Sequence, residues 1–162
     1  IIARTGWTTG DLISSIYRTQ PEGPFDLVSL LIGVNNQYRQ YDFSVYETEF
    51  EELLKKAIEL AANDTSRVIV LSIPDYGVTP FGQNRDPGKI AREIDQYNDY
   101  ARKRSAAFGI RFFDITPISR SAAFDNSLIA PDGLHPSGEM YAAWVRFILP
   151  QVTDLLENSA KK

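Results

Sequence analysis

The sequence holds one histidine, His135, in the stretch "DGLHPSG" (132–138), three residues behind Asp132. Imidazole is the side chain most often used as a general base near neutral pH. A carboxylate beside its Nδ1 fixes the tautomer and stabilises the imidazolium that forms. Three residues on a Pro/Gly-rich turn are enough to bring the two groups together. The same stretch also fits a plain surface turn before a helix, so the pair needs companions. In "LLIGVNNQY" (30–38), Gly33 closes an apolar run and Asn35 follows it. An Asn amide is a neutral donor suited to an oxyanion. In "RTGWTTGD" (4–11), Gly6 offers a backbone N–H just beyond an apolar pair. A backbone donor, an amide and an Asp–His pair are three parts of an acyl-transfer site. Only the nucleophile is lacking.

These residues need elements to position them. Residues 25–33, 67–73 and 110–115 are apolar runs that read as strands, the first buried on both faces. Residues 1–4 read as the end of a further buried strand. Thr8 or Thr9 caps a helix whose apolar side carries Leu12, Ile13, Ile16 and Tyr17. Helical spacing recurs over 47–62 (Phe50, Leu53, Leu54, Ala57, Ile58, Ala61) and over 89–108 (Ile90, Ile94, Tyr97, Ala101). A last helix starts near Ser137 or Gly138 and buries Tyr141, Trp144, Phe147 and Ile148, with Pro150 expected to kink or interrupt it. Residues 35–44, 74–88 and most of 116–138 read as loop. Strands alternating with helices imply a parallel sheet covered on both faces. Ligands bind such sheets beyond the carboxyl ends of the strands. Gly6, Asn35 and His135 all follow predicted strands, so they belong to one edge. Tyr76 and Phe81 are candidates for a substrate wall, and Tyr38 and Tyr41 flank Asn35.

Composition sets bounds. A chain of 162 residues suits a single domain. Its 17 basic and 21 acidic residues give a net charge of −4, which argues against a nucleic-acid partner. No apolar run approaches the roughly 20 residues of a membrane span. With no cysteine and one histidine, disulfides and Cys- or His-cluster metal sites are excluded. No cofactor or metal is expected.

The stretches "RTGWTTG", "IGVNNQY" and "DGLHPSG" resemble the second, third and fifth blocks of the SGNH (GDSL-type) hydrolases, in order and over essentially the whole chain. The resemblance implies a flavodoxin-like three-layer α/β/α sandwich. It also implies a serine esterase or lipase that hydrolyses small-molecule carboxylic esters with a Ser–His–Asp triad. Carried over by position, His135 is the general base and Asp132 its orienting acid. Gly6, through its N–H, and Asn35, through its amide, are the oxyanion donors. Two departures stand out. The family usually has Asp where this chain has Asn36. Its Gly-Asp-Ser block, which carries the nucleophile after the first strand, has no counterpart here. Ser72 is the best-placed internal serine, but its strand lacks a nucleophile-elbow pattern. The expectation is therefore one domain over 1–162, N-terminally incomplete, with the first strand and the serine on a segment of the same protein upstream of Ile1. The alternative is a non-catalytic binding module that kept the fold without the nucleophile. A phosphate or nucleotide binder would need a Gly-rich phosphate loop, and none is present.

Overall fold

The computed structural model describes residues 1–159; the last three residues of the expected domain, 160–162, lie outside the described residues. Three parallel strands form one sheet in the order β1 (Val28–Leu30), β2 (Val68–Leu71), β3 (Arg111–Phe113). Val28 pairs with Val68, and Val70 with Phe112. The helices are α1 (Thr9–Thr19), α2 (Val34–Tyr38), α3 (Phe43–Leu60), α4 (Pro80–Gln83), α5 (Pro87–Ala107), α6 (Thr116–Arg120) and α7 (Gly138–Ser159).

Local signals explain the helix starts. Thr8 and Asp11 make a reciprocal capping box at α1. Asp42 accepts the Ser44 N–H at the start of α3. Asp86 accepts the Lys89 N–H at the start of α5, with Pro87 in the first turn, where its missing N–H costs nothing. The alternation of β2 divides the core. Val68 and Val70 pack with Leu12 of α1, Phe50, Leu53 and Leu54 of α3, and Ile94 and Tyr97 of α5. Ile69 points the other way, to Phe113 and Val152 of α7. The fold is thus α/β, with a three-stranded parallel sheet flanked by helices.

Several expectations are corrected. Residues 1–4 form no strand: Ile1 is fully exposed and Ile2 only leans on the core, because β1 is hydrogen-bonded to β2 alone. The run 25–33 is not buried on both faces. Only residues 28–30 pair, Ser29 is exposed, and Leu31 is 39% exposed, as suits an edge strand. Residues 35–38, read as loop, belong to the helix α2. The long loops contain α4, α6 and three short 3₁₀ turns. Tyr141 and Phe147 are exposed; α7 is buried through Trp144, as expected, and through Met140 and Val152. Pro150 does not interrupt α7. The carbonyl it leaves unbonded is that of Arg146, on the exposed side of the helix, where water can satisfy it.

Candidate active site

The hairpin-like segment 128–137 carries the Asp–His pair. Ile129 and Pro136 form an isolated antiparallel bridge. The Ala130 N–H donates to His135 O at 2.8 Å, and the Ser137 N–H to Leu128 O at 2.9 Å. Gly133 turns the chain at φ +72, a left-handed value that glycine takes without strain. Inside the turn, Asp132 Oδ1 accepts the N–H groups of Leu134 (3.0 Å) and His135 (2.9 Å). Asp132 Oδ2 lies 2.6 Å from His135 Nδ1. The His135 and Leu134 amides, and then the imidazole, hold the Asp132 carboxyl down at about 2. Asp132 is therefore a fixed anion on one ring nitrogen, and the other nitrogen is left for chemistry.

The opposite side of the site is built from two loops. Gly6 adopts φ +85, where a side chain would be strained. Gly33 adopts φ +123, and a Cβ there would lie 2.6 Å from Tyr46 Cε2. That turn sends the chain directly from β1 into α2. Asn35 Nδ2 donates to Trp7 O at 2.9 Å, so one of its two hydrogens is committed and one is available. Arg39 Nη2 donates to Gly6 O at 2.6 Å. Asn36, fully buried, accepts the Thr9 N–H at 3.0 Å.

Gly6, Asn35 and His135 line one cavity of about 580 Å³, with Asp132 behind the ring. Tyr38, Tyr76 and Phe81 line it too, with ring centroids 6.1–6.5 Å apart, and Arg85 stacks on Tyr38 and Phe81. Tyr41 is exposed and does not reach the cavity. Sequence reasoning missed Asp75, buried at the cavity wall. It accepts from Arg120 Nε (2.9 Å) and from the Gly77 N–H (2.8 Å), and so pins the loop that follows β2. That loop reaches the histidine turn through Phe81 N–H to Gly133 O, 3.0 Å. An Asp two residues before Gly is a turn signature, but nothing local to it points to Arg120 forty-five positions away.

The serines are placed as follows. Ser72 is fully buried and saturated: its Oγ lies 3.1 Å from Asp114 Oδ1 and accepts from the Ile115 and Thr116 N–H groups. Ser29, expected inside a buried strand, is exposed on β1. Among the described residues, Ser119 is the serine that lines the cavity. It is buried, donates to Thr116 O at 2.7 Å and accepts the Asp75 N–H at 2.9 Å. Among the described residues, no group of three or more His, Cys, Asp or Glu is arranged for a metal ion, and no helix is long and apolar enough to cross a membrane.

Comparison with known proteins gives a consistent result. An acetylxylan esterase from Geobacillus stearothermophilus is 29% identical over 140 residues, covering 78% of this chain. The chain spans 59% of that relative's length. A solved variant of an acetyl xylan esterase from the same organism has a TM-score of 0.65 at 23% identity, over 91% of this chain and 68% of that one. A member of the lipolytic protein G-D-S-L family from Veillonella parvula has a TM-score of 0.64 at 19% identity, over 91% of this chain and 76% of its own. These structures share the fold of the sheet and its helices. Residues 1–143, which contain both loops, the aromatic wall and the Asp–His turn, match the profile of the GDSL-like Lipase/Acylhydrolase family, and the chain belongs to that family.

Proposed function

We propose that the protein is a serine esterase acting on carboxylic esters, with His135 as general base, Asp132 as its orienting acid, and Gly6 N–H and Asn35 Nδ2 as oxyanion donors. The observation that carries this reading is the 2.6 Å Asp132–His135 contact at the rim of a cavity shared with Gly6 and Asn35. The nucleophile is a serine on a further segment of the same protein, because Ser72 and Ser119 have their hydroxyls committed inside the fold. The serine attacks the acyl carbon while His135 takes its proton. The oxyanion is held by the two donors and the serine N–H. His135 then protonates the leaving alcohol, and water releases the acyl group by the same route.

The same segment would complete a flavodoxin-like sandwich. Support comes from the open edge of β1, the exposed Leu31 beside it, and the exposed stripe Tyr141, Val145 and Leu149 on α7. The acetylxylan esterase relative makes acetylated sugars the first esters to assay.

A non-catalytic binding module is the second reading. It is favoured by the buried, doubly bonded state of Ser119 in the cavity wall. One experiment separates the two. The full-length protein is treated with a fluorophosphonate and the adduct is mapped. A serine outside residues 1–162 should be labelled, and His135→Ala should abolish labelling. Labelling of Ser72 or Ser119 would refute the assignment, and no labelling of folded protein would favour the module.

A further inference from the structure

The geometry points to a one-way hydrogen-bond chain, Asn36 to Thr9 to Glu49, that positions the two oxyanion donors and requires an amide at position 36 because position 49 carries a carboxylate. Its kinetic consequence rests on the esterase reading above; its polarity rests on the bonds alone.

The direction of the chain is forced. The Thr9 main-chain N–H donates to Asn36 Oδ1 at 3.0 Å, and that hydrogen cannot be turned elsewhere. The carbonyl end of the amide therefore faces it, and the amide Nδ2 donates to Thr9 Oγ1 at 2.6 Å. With that lone pair occupied, the hydroxyl sends its own hydrogen to Glu49 Oε2. Thr9 and Asn36 are fully buried, so water does not reach either of them. Residue 10 is glycine, and a Cβ there would lie 2.9 Å from Glu49 Oε1 and press the carboxylate aside.

Charges on the elements packed against α3 that form ion pairs or side-chain bonds do so away from Glu49, and α2 carries no charge. On α1, Asp11 is held by Thr8 and lies 3.9 Å from Arg39, and Arg18 donates to Ser15. On α5, Arg104 pairs with Glu51, and Lys89 with Glu93; β1 carries no charge. Among the described residues no ion pair reaches Glu49, so Thr9 is its recorded partner. The chain also acts where the donors are set. Gly6, in the loop before α1, and Asn35, in α2, are joined by Arg39 to Gly6 O, Asn35 to Trp7 O, and the Asn36–Thr9 pair. Only the last is fully buried.

A carboxylate at position 36 would keep the Thr9 N–H through one oxygen. Its other oxygen would face a hydroxyl whose hydrogen Glu49 already holds. Two carboxylates would then compete for one hydrogen until the pair takes up a proton. Glu49→Gln removes the conflict, because its amide can donate to Thr9 Oγ1 and release the hydroxyl hydrogen toward position 36.

The test uses the full-length protein with Asn36→Asp, Glu49→Gln and the double variant. It measures kcat and KM for p-nitrophenyl acetate, and Tm, from about pH 5.5 to 8.5, across the range where imidazole bases work. At about pH 8, Asn36→Asp should lose about tenfold in kcat with KM changed less than about twofold. Relative to wild type, that loss should shrink as pH falls. The double variant should recover to within about threefold of wild-type kcat, and Tm should follow the same pattern. A kcat within about twofold of wild type at every pH would overturn the proposal, as would a loss that neither acid nor Glu49→Gln reverses. If Asn36→Asp fails to fold, folding of the double variant supports the chain, and failure of both overturns it. If the wild type hydrolyses no ester, the esterase reading fails by itself, and rescue of Tm by Glu49→Gln decides the polarity.

Discussion

The two halves of the site are built in opposite ways. The Asp132–His135 half is local and wet. Its side-chain pair is three residues apart, both partners are about half exposed, and one turn supplies every bond to the carboxylate. The oxyanion half is long-range and has a dry centre. Its bonds join residues 27 to 40 positions apart, and Thr9 and Asn36 are fully buried. The histidine half should therefore fail chemically without unfolding, whereas the oxyanion half should couple chemistry to stability.

The largest effect tests the first half of that statement. His135→Ala should lower kcat by about 10³–10⁴-fold, the range typical of removing a triad member. Its unfolding free energy should stay within about 0.5 kcal/mol of wild type, as for other exposed substitutions. Ester hydrolysis and urea melts of the same preparation check both. Loss of stability comparable to the loss of rate would erase the contrast.

Asn35→Ala comes next. Loss of one oxyanion donor costs about 10²–10³-fold in kcat. Here it should also cost stability, on the order of 1 kcal/mol, because the part-buried bond to Trp7 O is lost with it. A purely kinetic variant would show that the two halves are built alike. Gly33→Ala probes the same half through the backbone. The left-handed φ and the contact with Tyr46 should together cost about 2–4 kcal/mol, read as a lower urea midpoint with an unchanged slope.

The contrast also explains what could be read from the sequence. "DGLHPSG" is legible because partner, turn glycine and ring are contiguous. The same holds for the capped starts of α1, α3 and α5, and for the apolar stripe of α3. The helix α2 was not legible. Gly33, Asn35 and Asn36 have turn chemistry in isolation, and the bonds from Thr9 and Trp7 that hold this segment come from outside any local window. The apolar run 25–33 misled for a related reason. Hydrophobicity reports what a strand can bury, and β1 has a ladder neighbour on one side only. Tyr141 and Phe147 were assigned to the buried face of α7 because spacing cannot say which of two apolar stripes meets the sheet.

The smallest effect sharpens the histidine half further. The Asp132 carboxyl is held at about 2, below its ordinary 3.8, by the His135 and Leu134 amides and then by the imidazole. Between those two values the unfolded chain binds a proton that the folded protein does not. The stabilisation from Asp132 is thus complete above about pH 4 and is lost as pH falls through about 2. The gap in urea midpoint between wild type and Asp132→Asn should accordingly close on going from about pH 5 to about pH 2. A gap that persists at the acid end would mean that the carboxylate matters through shape and not through charge. The same inequality constrains catalysis. Asp132 is already an anion above about pH 4, so it adds no proton of its own to the acid limb of kcat/KM, which should have unit slope. An acid limb of slope two would require a second titrating group, and the local, self-contained character of the Asp132–His135 half would have to be abandoned.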